Sequence, residues 1–183
     1  TFDEFLRTRA VAGGATRVTG HYQRITRHAD DGGGEGARVH YTIGEEQRTL
    51  RARLVIGADG ALSQVARQEV DPEGPPCVFA YHEIVRAPEA GQARDYDAAR
   101  CDVVYDGTIS PDFYGWIFPH GGTCSVGSGS AHKGFSLRGS VAALRKVSGL
   151  DGAETIRREG APIPMHPLRR WDNGRDVVLA GDA

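Results

Sequence analysis

Leu54-Val55-Ile56-Gly57-Ala58-Asp59-Gly60 and, far downstream, Val177-Val178-Leu179-Ala180-Gly181-Asp182 are two versions of one arrangement. In each, a short apolar run breaks into a turn that pairs glycine with aspartate. Short apolar runs bounded by turn residues suit buried strands, and a strand that delivers a tight turn to a helix is the order in which α/β proteins present ligands. Ala61 to Glu69, after the first run, is compatible with such a helix. The glycines allow close approach of the backbone, and Asp59 can either accept hydrogen bonds from a ligand's hydroxyls or cap the helix. Taken alone, Asp-Gly before a helix is more commonly a capped turn, and Gly181-Asp182 a plain strand end.

Outward from the first run, Thr1-Phe2-Asp3-Glu4 has capping-box form. Phe2, Phe5, Leu6 and Ala10 share one helical face, and Gly13-Gly14 stop the helix. Three strands follow, Arg17 to Arg27, Arg38 to Ile43 and Gln47 to Ile56, separated by the glycine-rich turn Asp30 to Gly36 and by Gly44-Glu45-Glu46. That turn follows no buried strand, carries acids and leads into another strand, so it reads as a hairpin rather than a phosphate loop. Beyond Glu69, Asp71-Pro72-Glu73-Gly74-Pro75-Pro76 marks a crossing between domains.

The segment from Cys77 to His132 reads as strands at Val78 to Val85, Cys101 to Tyr105, Tyr114 to Pro119 and Cys124 to Ser128, with a solvated loop over Ala87 to Ala99. Leu137, Val141, Leu144 and Val147 define one amphipathic helix. Pro162, Pro164 and Pro167 force an extended return path, Asp172-Asn173-Gly174 makes a turn, and Val177 to Ala180 re-enters a buried sheet. The expected organisation is 1–72, 73–168 and 169–183, the last returning to the first.

Composition removes several classes of function. Lys plus Arg number 22 against Asp plus Glu 24, a net charge of -2, with no run of like charge, which argues against nucleic acid as a partner. No apolar stretch is long enough to cross a bilayer, and Thr1 to Ala10 is not a signal sequence. Cys77, Cys101 and Cys124 are odd in number and lack metal-ligand spacing; a reducing, cytoplasmic setting without a structural metal is expected. Met165 is the only methionine and the chain ends at a strand-to-loop unit, so the sequence reads as an internal piece of a longer protein.

In this order, separated by a β-rich insertion, the Asp59-Gly60 and Gly181-Asp182 motifs resemble the flavoproteins that include para-hydroxybenzoate hydroxylase. The resemblance implies a mixed α/β fold: part of a Rossmann-like FAD-binding domain with a β-meander (1–72 and 169–183), and a sheet-rich substrate domain (73–168). It implies cofactor contacts at Gly57, Asp59, Gly60, Arg67, Gly181 and Asp182, with Asp182 on the ribityl chain of FAD and Asp59 near the nicotinamide path. The family places an arginine seven residues after the first aspartate; here Ala66 stands there and Arg67 follows, about 100° further round a helix.

Pro111-Asp112-Phe113-Tyr114-Gly115-Trp116-Ile117-Phe118-Pro119, followed after a seven-residue spacer by Gly127-Ser128-Gly129, is similar to the Tyr-x-Trp-x-Phe-Pro and Gly-x-Gly signature of geranylgeranyl reductases. Alternation places the three rings on one face of a strand, where they can fill a core or wall an apolar substrate. The segments Phe79 to Glu83, Asp102 to Gly107 and Arg157 to Pro164 resemble the branch serving chlorophyll and bacteriochlorophyll synthesis. The resemblance implies that NADPH reduces FAD and that flavin hydride saturates the double bonds of a geranylgeranyl chain, carried as the diphosphate or on bacteriochlorophyll. Tyr114, Trp116, Phe118, Pro119, Gly127 and Gly129 would contact that chain, with Tyr114, the only hydroxyl of the wall, as candidate proton donor. Such a substrate implies peripheral contact with the photosynthetic membrane.

Two alternatives share these features: a flavin-dependent hydroxylase of the same fold and a noncatalytic prenyl-binding module. Gly127 to Gly134 departs from a nucleotide loop at His132, although Lys133 and Arg138 could attract a diphosphate. His82, His120 and His132 read as structural or exposed, and Ser128 and Ser130 do not form a nucleophile elbow.

Overall fold

The computed structural model describes residues 2–27, 36–89, 91–92 and 95–183. Most of the expected glycine-rich turn, Thr1 of the capping box, and residues 90 and 93–94 of the expected loop lie outside them. The chain divides into two compact units, one of Thr1–Glu73 with Arg170–Gly181 and Ala183, the other of Gly74–Arg169 with Asp182.

The first unit opens with α1 (Phe2–Ala12), whose acidic first turn, Asp3 and Glu4, and basic Arg9 in the last turn oppose the helix dipole. Gly14, at φ 98°, turns the chain out of it. An antiparallel sheet follows in the order β1 (His21–Thr26), β2 (Ala37–Ile43), β3 (Glu46–Ala52). The strand expected over Gln47 to Ile56 is two strands: β3 stops at Ala52, and Val55–Gly57 forms β4 in a different sheet. The pattern explains the break, because β3 is charged and exposed along its length whereas 54–56 is continuously apolar. The first strand begins at His21, four residues later than expected.

β4 pairs in parallel with β10 (Val177–Leu179), Val55 opposite Val177 and Gly57 opposite Leu179. The helix after β4, α2, runs over Gln64–Glu69. Its start lies beyond the expected Ala61, because Ser63 is its N-cap and accepts a hydrogen bond from Ala66 N–H at 2.8 Å.

Charge locks the unit together. Arg27, just after β1, donates from Nη2 to Asp176 Oδ1 at 2.7 Å, from Nε to Asp176 Oδ2 at 2.9 Å and from Nη2 to Glu69 Oε2 at 2.7 Å. One guanidinium thus ties β1, the end of α2 and the approach to β10. Asn173 builds the turn before β10, its Oδ1 accepting from the N–H groups of Arg175, Asp176 and Val177 at 3.0 to 3.1 Å. The Arg27 hydrogen bond holds the carboxyl of Asp176 down to about 2, against the opposing effect of burial.

The second unit is a five-stranded antiparallel sheet in the order β6-β7-β8-β5-β9. Its strands are β5 (Cys77–Arg86), β6 (Asp102–Val104), β7 (Gly115–His120), β8 (Thr123–Ser130) and β9 (Thr155–Pro164), with α3 (Leu137–Val147) between β8 and β9. The extended return path expected from the prolines is β9, a ten-residue strand along β5. It carries Pro162 and Pro164 because it is the edge strand, where a missing N–H costs least.

One face of this sheet packs on α3. Val141 and Leu144 bury against Val85, Ile117, Val126 and Leu150, and Ser136 caps the helix by accepting from Gly139 N–H at 3.2 Å. Arg145 donates to Glu83 Oε2 at 2.5 Å, to Thr155 Oγ1 at 2.8 Å and to Leu150 O at 3.0 Å, fastening the end of α3 to β5 and β9. Among the described residues no helix is long and apolar enough to cross a membrane.

Asp176 has its pKa depressed, so its stabilising contribution is complete above about pH 4 and fades as pH falls toward 2. Arg27→Met is expected to lower unfolding free energy by about 3 kcal/mol at neutral pH, as breakage of a buried pair does. It should also flatten the stability slope between pH 4 and 2; an unchanged slope in urea denaturation across that range would refute the assignment.

Candidate functional site

The parallel pairing of β4 and β10 places two loops side by side. The chain leaves β4 through Gly57-Ala58-Asp59-Gly60 and leaves β10 through Ala180-Gly181, and Ala180 N–H donates to Gly57 O at 2.8 Å. Both loops thus emerge at the carboxyl ends of neighbouring parallel strands, the edge at which open α/β sheets bind ligands. Gly60 and Gly181 have φ of 79° and 70°, a left-handed conformation open to glycine at little cost, and a Cβ on either would meet no atom within 4 Å. Backbone is therefore bare on both loops. Gly57 differs: a Cβ there would fall 2.9 Å from side-chain atoms of Leu179 and Val65, so its smallness serves the packing of α2 on the strand pair.

The Asp59 carboxylate is engaged with α2. Oδ1 accepts from the Ser63 hydroxyl at 2.5 Å and Oδ2 from the N–H groups of Gln64 at 2.7 Å and Val65 at 3.3 Å. Burial works to raise its pKa, but the hydrogen bonds from Ser63, Val65 and Gln64 outweigh it and hold the carboxyl below its ordinary range. Ala66 is on the buried face of α2, and Arg67, one residue on, is exposed.

In the second unit the sheet face opposite α3 carries the aromatic strand. Tyr114 and Trp116 have ring centroids 6.1 Å apart, and Trp116 and Phe118 6.3 Å. Phe113 stacks on Tyr114 at 4.1 Å. The two glycines of β8 lie under these rings. A Cβ on Gly127 would overlap the Trp116 indole and sit 2.6 Å from His82 Cβ; one on Gly129 would sit 2.9 Å from the Phe113 ring. The close approach at Gly127 and Gly129 is made by the chain's own aromatics. The preceding loop is pinned to the same strand. Ser110 Oγ donates to Gly129 O at 2.7 Å, while Asp112 accepts from Ser130 Oγ at 2.6 Å and from Ala131 N–H at 2.8 Å.

Beside Trp116 is an open cavity of about 510 Å³, with an apolar part formed by Trp116, Ala80, Ala161 and Ile163 and a polar part formed by His82 and Glu159. Trp116 Nε1–H donates to Ser125 Oγ at 3.1 Å, Ser125 Oγ is 2.9 Å from His82 Nδ1, and His82 Nε2 is 3.1 Å from Glu159 Oε2. Four adjacent strands contribute one residue each to this row.

A profile of the FAD binding domain family matches residues 1–85. A geranylgeranyl diphosphate reductase of Rhodobacter capsulatus is 54% identical across the whole chain, which spans 45% of that relative. The chloroplastic geranylgeranyl diphosphate reductase of Oryza sativa subsp. japonica is 34% identical over 99% of the chain and 40% of its own length. Over its whole length the chain is similar to geranylgeranyl diphosphate reductases. It spans less than half the length of these curated relatives. A solved geranylgeranyl bacteriochlorophyll reductase-like protein of Thermoplasma acidophilum has the same fold, with a TM-score of 0.72 at 23% identity over 99% of the chain and 46% of its own.

The bare left-handed turns at Gly60 and Gly181 suit FAD, since an extended cofactor can lie directly on such backbone. Asp182, exposed after Gly181, is the carboxylate that α2 does not claim. The row Trp116, Ser125, His82, Glu159 was not legible as a unit in the sequence. Of the four, only His82 and Trp116 are singled out individually by the sequence, and Glu159 sits in a polar stretch, Arg157 to Gly160, with no apolar alternation to announce a strand.

Gly127→Ala is expected to push the Trp116 indole off β8. It should cost about 1 to 3 kcal/mol of stability, as overpacking does, and shift tryptophan emission in a Trp171→Phe background. Wild-type emission and stability in that variant would show that Trp116 does not rest on Gly127.

Proposed function

We propose that the whole protein carrying this chain reduces the C=C bonds of a geranylgeranyl chain to phytyl in chlorophyll or bacteriochlorophyll synthesis, using FAD and NADPH. The observation that carries this reading is the row of Tyr114, Trp116 and Phe118, whose Trp116 also lines a cavity with an apolar part formed by Ala80, Ala161 and Ile163. A polyprenyl chain offers almost no hydrogen-bonding groups, so shape and π surface must hold it.

FAD, when bound and reduced, supplies the hydride that no side chain can. Gly60, Gly181, Asp182 and the Asp59 turn would hold it, with Gly57 keeping that turn packed and Arg67 exposed on α2. Tyr114, Trp116, Phe118 and Pro119 would position the prenyl tail, while Gly127 and Gly129 seat the rings that do so. The tail would be presented as the diphosphate or as the ester of bacteriochlorophyll. A cytoplasmic protein peripheral on the photosynthetic membrane would meet both.

The test is an anaerobic assay of the whole protein with NADPH and each substrate form, read by product mass. Gains of two hydrogens per reduced bond are expected, with Trp116→Ala raising KM at least tenfold. Oxygen-dependent gain of an oxygen atom would make the protein a hydroxylase. Prenyl binding without turnover or a flavin spectrum would make it a carrier.

A further inference from the structure

Saturating an isolated alkene requires a proton as well as a hydride, and the row of polar groups on the sheet face is built to hold one. We propose that the His82–Glu159 pair is the proton-donating unit for a double bond held in the cavity beside Trp116; the inference rests on the reductase reading above. His82 and Glu159 both line that cavity, next to its apolar part.

The hydrogen-bond chain determines where protons can reside. The indole N–H of Trp116 is a donor only, so Ser125 Oγ accepts from it. An ionised carboxylate only accepts, so His82 Nε2 carries the hydrogen directed at Glu159. Nδ1 is then the variable site: neutral, it accepts from the Ser125 hydroxyl; protonated, it donates to a second lone pair of the same oxygen, the hydroxyl having rotated away. His82 can thus gain and lose a proton at Nδ1 without leaving a polar atom unpaired. Glu159 is in turn held by Arg157 Nε at 3.0 Å on its other oxygen.

In the step, the Nδ1–H bond of imidazolium His82 breaks and its proton forms a C–H bond at the less substituted alkene carbon, the Ser125 hydroxyl turning back to donate to the vacated Nδ1 while Nε2–H stays on Glu159. The π electrons supply that bond. Positive charge would develop on the more substituted carbon, and a reduced flavin, when bound, would supply the hydride for the second C–H bond. The alkene gains two hydrogens, His82 is left neutral, and water restores its proton. The Trp116 ring, 6.2 Å from that of His82, offers its π face to the developing charge. Glu159 and Ser125 are positioning residues: they aim the imidazole.

The experiment uses the whole protein, wild type and His82→Gln, with geranylgeranyl diphosphate as probe. Binding of the probe to flavin-free protein is followed by isothermal titration calorimetry. Anaerobic flavin reduction by NADPH and product formation are followed separately. His82→Gln is expected to bind the probe and undergo flavin reduction as wild type does, yet to lose alkene saturation about 100-fold or more, the usual share of a general acid. Added imidazole should restore part of the turnover of His82→Ala. Glu159→Gln should lower kcat with KM unchanged, and Glu159→Asp should recover most of it.

Saturation by His82→Gln within threefold of wild type would overturn the inference while leaving the reductase reading intact. Failure of wild type to saturate either substrate form would remove the reading itself. If His82→Gln loses its thermal transition, Ser125→Ala decides: a fall in kcat at constant KM supports the role, and wild-type kcat rejects it.

Discussion

Three residues of β4 and three of β10 lie in parallel register across roughly 120 positions of chain, and the first unit depends on that pairing. So short a parallel ladder has few hydrogen bonds of its own, and parallel pairing is slightly the weaker kind. Its register is secured from outside. Val55 N–H donates to Asp176 O at 2.8 Å, the side chain of Asp176 is gripped by Arg27, and Asn173 shapes the approach. Break the Arg27 clamp and a buried carboxylate is left without its cation at the point where β10 begins. The two glycine turns, bare on their outer side, would then lose the strand ends that aim them.

The second unit solves a different problem with the same residue type. Gly60 and Gly181 are glycines for the sake of backbone conformation, with open space where a side chain would stand. Gly127 and Gly129 are glycines for the sake of space, because aromatic rings of the neighbouring strand and loop fill it. Removing two side chains from β8 lets Trp116 lie across the sheet instead of standing away from it. That brings its N–H to Ser125 and its ring to His82. Aromatic face and polar row therefore share one cause. On the opposite face the sheet is an ordinary core, closed by Val141 and Leu144 of α3 and by the Arg145 clamp.

Much of this was readable from local pattern. The apolar runs at 54–56 and 177–179, the helix over Leu137–Val147 and the alternation of Tyr114, Trp116 and Phe118 follow from periodicity and turn chemistry, which are local properties. The misreadings also have local causes. The boundary between β3 and β4 was hidden because both segments favour extended backbone, and only their partners differ. β9 was hidden because an edge strand tolerates proline and charge and so shows no strand pattern. Asp59 could not be divided between cap and ligand group until the distances to Ser63 and Gln64 were known.

The sequence by itself determined the kinds of element, the two glycine-aspartate turns, the aromatic strand and, through its signature, the family resemblance. Tertiary structure decided which of these meet. It set β4 against β10, bared Gly60 and Gly181 while burying Gly57, laid Trp116 on Gly127, and aligned Ser125, His82 and Glu159 on one face of three further strands. The reason is the range of the physics. Backbone preference and hydrophobic period act over a few residues, whereas His82 and Glu159, 77 positions apart, become neighbours only through the antiparallel register of β5 and β9.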